Sequence, residues 1–309
     1  MHPLVVIVGP TAVGKSALGV ELARSVNGEI ISADSVQVYR QLDIGSAKPT
    51  VQERKNIPHH LIDCLDPQQP FTVAQFQFQA NLLIDAIKKR DHVPVLLGGT
   101  GLYIRSLLDP YRFSECSSEY LREKWTNFHR VEGKEALYEA LKQRDLLSAE
   151  RLHINDVVRI IRALEIYDLT GKTLSSQRQY QENEYPPLDP SIIYIGLTAP
   201  REILYQRINM RCEEMLAQGL LAETLELLQI GYSPKLKPLQ SIGYRHAIWY
   251  LQGWVTFNEM LRLLKRDTRH FAKRQLTWFR RDPRITWYDI TQTSMENILR
   301  DLSQTCASR

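Results

Sequence analysis

Several groups of residues in this sequence have types and spacings that could do chemistry. Gly9-x-x-x-x-Gly14-Lys15-Ser16, within GPTAVGKS, has the spacing of a P-loop. In such a loop the backbone N–H groups of a glycine-rich turn and of the next helix wrap an anion. Here the wrap would be made by Gly9, Pro10, Thr11, Ala12, Val13, Gly14, Lys15 and Ser16, with an ammonium from Lys15 and a Mg²⁺-ligating hydroxyl from Ser16. That cradle reads a diphosphate and is nearly blind to what the diphosphate carries. Asp34 closes the segment EIISAD. It can serve Mg²⁺ or a substrate hydroxyl, or it can cap the next turn together with Ser35. Thr100 sits in GGTGLYI, a second glycine-rich turn suited to close approach of a ligand, although helix-packing glycines would read the same way. Arg207 and Arg211 stand four apart in YQRINMRCEEML, which suits either an anion or pairs with nearby glutamates.

The net charge of +4 is concentrated in one place. Residues 259–284 contain nine Lys/Arg and three acids, so this segment carries +6 and the remainder −2. On a helix, Arg262, Arg266, Arg269, Lys273 and Arg280 make one stripe, while Leu261, Leu264, Phe271, Ala272 and Phe279 line another side. A solvated charged face is the ordinary reading of such a stripe. With so few local acids it is a poor salt-bridged surface and a good one for a phosphate backbone.

These residues need elements to hold them. LVVIVG followed by the P-loop and KSALGVELARSV reads as strand, loop and helix, and EIISAD as a second strand. A helix is expected from Val73 to Lys89, then a strand in VPVLLGG, and SIIYIGL (191–197) returns to the sheet. Continuous apolar strands alternating with helices predict an open parallel α/β sheet of the P-loop NTPase-like kind, with ligands at the carboxyl ends of its strands. Gly9 to Ser16, Asp34 and Thr100 all fall at such ends and should face one crevice. Residues 113–189 read as a helical insertion; 1–112 and 190–309 read as the core, ending in basic helices.

The chain has 309 residues, 43% apolar and 24% charged, as a globular protein would. No apolar run is long enough to cross a membrane, so a cytoplasmic protein with no membrane partner is expected. Cys64, Cys116, Cys212 and Cys306 are scattered without a C-x-x-C pair, which argues against a zinc site or a disulfide framework. His59 and His60 have no partner at metal-ligand spacing and read as structural.

Eight ordered segments, GPTAVGKS, ISADSVQVYR, DIGSAKP, PHHLID, GGTGLYI, NDVVRIIRALE, SIGYRHAIWYL and AKRQLTWFRR, extend from residue 9 to 281. In this order they resemble the bacterial tRNA dimethylallyltransferases over essentially the whole chain. The resemblance implies transfer of a dimethylallyl group from dimethylallyl diphosphate, with Mg²⁺, to N6 of the adenosine immediately 3′ of the anticodon in tRNAs reading codons that begin with U. It implies that Asp34 is the general base, that Thr100 bonds near the reacting centre, and that Arg211 joins Thr11, Lys15 and Ser16 on the diphosphate. The tRNA anticodon stem-loop would be met by Asp34, Ser35, Val36 and Gln37, by Gly101, by Val158, Arg159, Ile160, Ile161 and Arg162, and by Gln240, Ser241, Ile242, Gly243, Tyr244 and Arg245. Arg269, Lys273 and Arg280 of the basic stripe would add backbone contacts, and the enzyme is expected to act as a monomer.

The departures are small. Ser46 stands where Thr is common, and His270-Phe271 stands where Arg-Tyr is frequent, so those last two are not assigned as contacts. Two other enzyme classes share parts of this pattern. A P-loop small-molecule kinase would use the same first 110 residues without needing a basic stripe, and an adenylate isopentenyltransferase would share the chemistry with a free-nucleotide acceptor. A non-catalytic RNA-binding module would leave Asp34 and the P-loop without a purpose.

Overall fold

The apolar run at residues 4–8 forms β1 (Leu4–Val8), buried at every position. A strand covered on both faces belongs inside a parallel sheet. The computed structural model, which describes residues 2–110, 118–178 and 185–308, places it there. With β2 (Gly28–Ala33), β3 (His59–His60), β4 (Val93–Gly98), β5 (Ile192–Thr198) and β6 (Thr286–Asp289) it makes a six-stranded sheet of order β3-β2-β4-β1-β5-β6. Every pairing is parallel, with Val5 opposite both Val95 and Ile193. Side chains alternate across β1: Val5 and Ile7 enter one core, and Leu4, Val6 and Val8 the other.

Helices cover both faces. α1 (Lys15–Ser25) starts directly from the P-loop, and Gly14 at its N-cap is left-handed at φ 103°. α2 (Val73–Lys89) begins with a capping box in which Gln75 N–H donates to Thr72 Oγ1 at 3.2 Å and Thr72 N–H donates to Gln75 Oε1 at 2.8 Å. Its buried residues, Phe76, Ala80, Ile84 and Ile87, keep helical spacing. α3 (Gly101–Leu108) follows β4.

The residues divide into two compact units, Met1–Leu108 with Pro187–Arg309, and Asp109–Pro186. The second is helical, with α4 (Glu119–Arg144), broken at Gly133 where φ is 84°, and α5 (Val157–Thr170) around a core of Trp125, Leu137, Leu141, Ile160 and Leu164. Cys116 and the expected boundary between 112 and 113 lie outside the described residues. The first unit continues with α6 (Arg201–Ala217), α7 (Leu220–Gln229), α8 (Tyr244–Leu251), α9 (Phe257–Phe279) and α10 (Met295–Ala307).

The sheet order sets the site. β4 inserts between β1 and β2, so the loop after β4 lies between the loops after the other two. The P-loop, the Thr100 turn and Asp34 therefore come from neighbouring strand ends, at the change of strand order where open α/β sheets take their ligands. His60 is structural: its Nε2 lies 2.6 Å from Glu29 Oε2, on a buried carboxylate that also takes Arg90 and His92.

Candidate active site

The P-loop has the geometry of an anion cradle. Gly9 has φ 143°, and a Cβ there would stand 2.5 Å from the Leu197 carbonyl oxygen. Among the described residues none accepts a hydrogen bond from the backbone N–H of Ala12, Val13 or Gly14. Lys15 and Ser16 open α1, so their N–H groups are first-turn donors. Lys15 Nζ folds back onto the Pro10 carbonyl oxygen at 2.8 Å. Burial and the Arg211 charge pull its pKa down to about 7, against an opposing pull from Asp34.

Asp34 takes the capping use open to it in the sequence. Its Oδ1 caps the following turn, accepting from Val36 N–H at 2.8 Å and Gln37 N–H at 3.2 Å, while none of the described residues engages Oδ2. A capped carboxylate is held in one orientation with an oxygen to spare. Asp34, Thr11, Thr100 and Arg211 line one cavity of about 330 Å³, whose apolar wall includes Ile208, Met215, Ile242 and Leu264. Arg211 Nη1 lies 3.4 Å from Thr11 Oγ1, and Arg211 also borders a second cavity of about 240 Å³ that contains Ser16. Arg207, one turn earlier, is exposed and lines neither.

Several residues that build this cavity had no signal in the sequence. Gln275 Oε1 accepts from Thr11 N–H at 2.8 Å, and its Nε2 donates to the Gly99 carbonyl at 3.0 Å. Glu223 accepts from the backbone N–H groups of Asp43, Ile44 and Gly45 and from Tyr244 Oη, at 2.6–3.2 Å. That fastens the DIGSAKP loop, whose Gly45, Ser46 and Ala47 line the cavity. Asp267 takes Arg245 at 2.6 Å and His246 at 3.1 Å, and burial keeps His246 down to about 4 and so neutral. Each depends on partners far away in the chain, which no local pattern announces.

Of the expected RNA contacts, Ser35, Val36, Gln240, Ser241, Ile242 and Arg245 line the cavity. Other expected contacts do not line that cavity, and burial corrects some of them. Tyr244 is fully buried and Ile160 lies in the insertion core, so neither side chain presents a surface. Gly243 is packed against Gly45. Gln37 spends its amide on Ser46 and Ala47 carbonyls and on Ser32. Gly101 is pressed against Trp278, where a Cβ would come within 2.2 Å. In the insertion, Val158 is 80% exposed, Ile161 is buried, Arg159 lies 3.3 Å from Asp156, and Arg162 donates to Glu165 at 2.7 Å.

The basic stripe also differs from the expectation of a surface poor in acids. Arg262 pairs with Glu259, Lys265 with Glu213 and Arg266 with Asp267, and Arg269 donates to Asn209 Oδ1 at 2.9 Å. Two of these acids are among the three in the segment, and one, Glu213, belongs to another helix, which a count along one segment misses. Lys273, Arg274, Arg280 and Arg281 are exposed and pair with no acid among the described residues. Phe271, expected on the packing side, is instead exposed at the cavity wall with Arg274, whose guanidinium lies 5.8 Å from its ring.

Comparison with known proteins identifies the family. A family model described as IPP transferase matches residues 37–282, a span beginning after the P-loop and Asp34, so those two groups stand on their geometry. A tRNA dimethylallyltransferase of Desulfitobacterium hafniense is 64% identical, covering 99% of this chain and 98% of the relative. One from Carboxydothermus hydrogenoformans is 49% identical over 96% and 94%. The crystal structure of a tRNA isopentenylpyrophosphate transferase from Bacillus halodurans superposes with TM-score 0.73 at 40% identity, covering 100% of this chain and 96% of that one. A eukaryotic dimethylallyltransferase captured acting on tRNA superposes with TM-score 0.80 at 29% identity, covering 99% and 77%. With most of its length matched by the family model and nearly all of it by these relatives, the chain belongs to the IPP transferase family.

Proposed function

We propose that the cavity beside the P-loop is where a dimethylallyl group passes from its diphosphate to N6 of the adenosine immediately 3′ of the anticodon, in tRNAs reading codons that begin with U. The enzyme is a tRNA prenyltransferase. One observation carries the reading of its site: Thr11 of the P-loop, a capped carboxylate and the half-buried Arg211 line one cavity with an apolar wall.

An exocyclic amine is a weak nucleophile, and the departing diphosphate gathers charge as the C–O bond breaks. In this mechanism Asp34 Oδ2 accepts the N6 proton while its other oxygen is held by the turn. Arg211, Lys15 and the free N–H groups of the loop stabilise the leaving group. Thr100 supplies a hydroxyl beside Asp34 on the cavity wall. The isoprenoid would lie along Ile208, Met215 and Leu264, which keep water from the electrophilic carbon.

Mg²⁺ fits the donors present. Among the described residues no cluster of three His, Cys, Asp or Glu could cage a metal, and Ser16 Oγ stands at the P-loop without a partner among them. One hydroxyl plus phosphate oxygens and water is the usual setting for this ion. When bound there it would neutralise charge on the diphosphate.

RNA enters by loop extrusion, since the target base must leave its stack to reach Asp34. Lys273, Arg280, the cavity-lining residues 240–242 and Arg245, and Val158 and Arg159 of the insertion are assigned to it. Among the described residues no helix is long and apolar enough to cross a membrane. The reading places the enzyme in the cytoplasm as a monomer, with dimethylallyl diphosphate and tRNA as its partners.

The test is incubation with Mg²⁺, labelled dimethylallyl diphosphate, and either an anticodon stem-loop or AMP. Label is expected in RNA alone. Label in AMP would point to a free-nucleotide acceptor, and ADP formed from ATP with a small acceptor would point to a kinase.

A further inference from the structure

The core-facing side of α9 is apolar except at Gln275, which is 7% exposed. Its carboxamide joins two loops that the sheet brings side by side. Oε1 accepts from Thr11 N–H in the P-loop, and Nε2 donates to the carbonyl of Gly99 in the Thr100 turn. The orientation of the amide is fixed, because Thr11 N–H can only donate and the Gly99 carbonyl can only accept. The fit is close: a Cβ on Gly99 would lie 2.1 Å from Gln275 Nε2. Trp278, three residues along the same helix, presses on Gly101 in the same way. Outward from Gln275, α9 carries exposed Lys273 and Arg274, and Arg280 follows at its end.

We infer that Gln275 is a positioning residue that couples the RNA-binding helix to the diphosphate cradle, so that bound RNA and bound diphosphate strengthen each other. The inference rests on the function proposed above. A shift of α9 on binding RNA has to move the amide, and the amide holds both the P-loop and the Thr100 turn. Linkage then requires the reverse effect of equal size. Only a neutral carboxamide serves: a carboxylate can accept from Thr11 but cannot donate to Gly99, and an alkyl group can do neither.

The experiment measures dimethylallyl diphosphate affinity by calorimetry, with and without an anticodon stem-loop carrying purine at the target position, which has no N6 amine and cannot react. RNA is expected to tighten diphosphate binding by about 5-fold or more in the unaltered enzyme, the lower end of ordinary coupling. In Gln275→Leu the ratio should fall towards one while affinity for RNA alone is retained, a change that a purely structural residue would not produce. Should Gln275→Leu fail to fold, isosteric Gln275→Glu retains the Thr11 acceptor and should lose most of the ratio. Wild-type coupling in whichever variant folds, or an unaltered enzyme that binds both ligands independently, overturns the inference and leaves the function standing. An enzyme that binds neither ligand overturns the function, and the inference with it.

Discussion

Replacing Lys273, Arg280 and Arg281 together by Gln should flatten the salt dependence of tRNA binding. These cations are exposed and unpaired with acids among the described residues, so each is free to displace a counterion from the RNA backbone. At roughly 0.7–0.9 per phosphate contact, three losses reduce the slope of log K against log salt by about 2–3. Arg262 and Lys265 provide the internal control, because they already face Glu259 and Glu213. Replacing that pair should change the slope by less than about 1. The assay is filter binding or fluorescence anisotropy of a labelled anticodon stem-loop across a salt series, repeated with a scrambled loop. Affinity should fall equally for both loops, since phosphate contacts position without specifying. Diphosphate binding measured without RNA should not change. If the triple variant folds and keeps the wild-type slope, or if the control pair changes the slope more than the triple, the end of α9 is not the RNA track.

Three further outcomes follow from the site and the core. Asp34→Ala should lower single-turnover prenyl transfer by roughly 10²–10⁴-fold with tRNA affinity near wild type; an unchanged rate would remove Asp34 from proton transfer. Arg211→Ala should raise KM for dimethylallyl diphosphate and slow bond breaking without any ATP consumption, and stoichiometric ADP release would contradict the leaving-group assignment. Glu29 is buried, and bonds from Arg90, His60 and His92 overcome that burial to hold its carboxyl near about 2 against an ordinary 4.5. The stability it adds is complete above pH about 4.5 and is lost as pH falls towards 2, about 1–3 kcal/mol once the half-exposed Arg90 is discounted; urea midpoints from pH 6 to 2.5 should lose that component in Glu29→Gln.

Much of the frame was legible in the sequence because its signals are local. β1 reads as a buried parallel strand from five apolar residues, and α2 was placed at its observed bounds, Val73–Lys89, by its helical periodicity. The P-loop spacing implied a strand before it and a helix after it, and both are present. Parts of the site built by long-range pairing stayed hidden. Gln275 is separated by 264 residues from Thr11, and Glu223 by about 180 from the loop it fastens. Tyr244 was assigned to RNA by the resemblance alone, and nothing local tells that Gly45 leaves room for its ring. The free cations of the basic segment were overcounted in part for a related reason: the acid opposite Lys265 belongs to α6, which packs alongside α9.

The same P-loop can serve two kinds of transfer, and the difference lies in where the acceptor stands. In phosphoryl transfer the nucleophile must reach phosphorus, which the cradle itself holds. In alkyl transfer the diphosphate only departs, and the attacked carbon lies beyond its bridging oxygen. Base and acceptor then belong outside the cradle, in a space that excludes water. Thr11, Asp34 and Thr100 border the larger cavity, and Arg211 borders both it and the smaller one that holds Ser16. A guanidinium between leaving group and acceptor can follow charge onto the departing oxygen, and its partial burial strengthens that interaction. A lysine there would offer a point charge on a flexible stem, less suited to holding two phosphate oxygens at once. The proposed chemistry thus rests less on the P-loop, which many reactions share, than on the apolar part of the cavity wall and on Asp34 and Arg211, which face the same space.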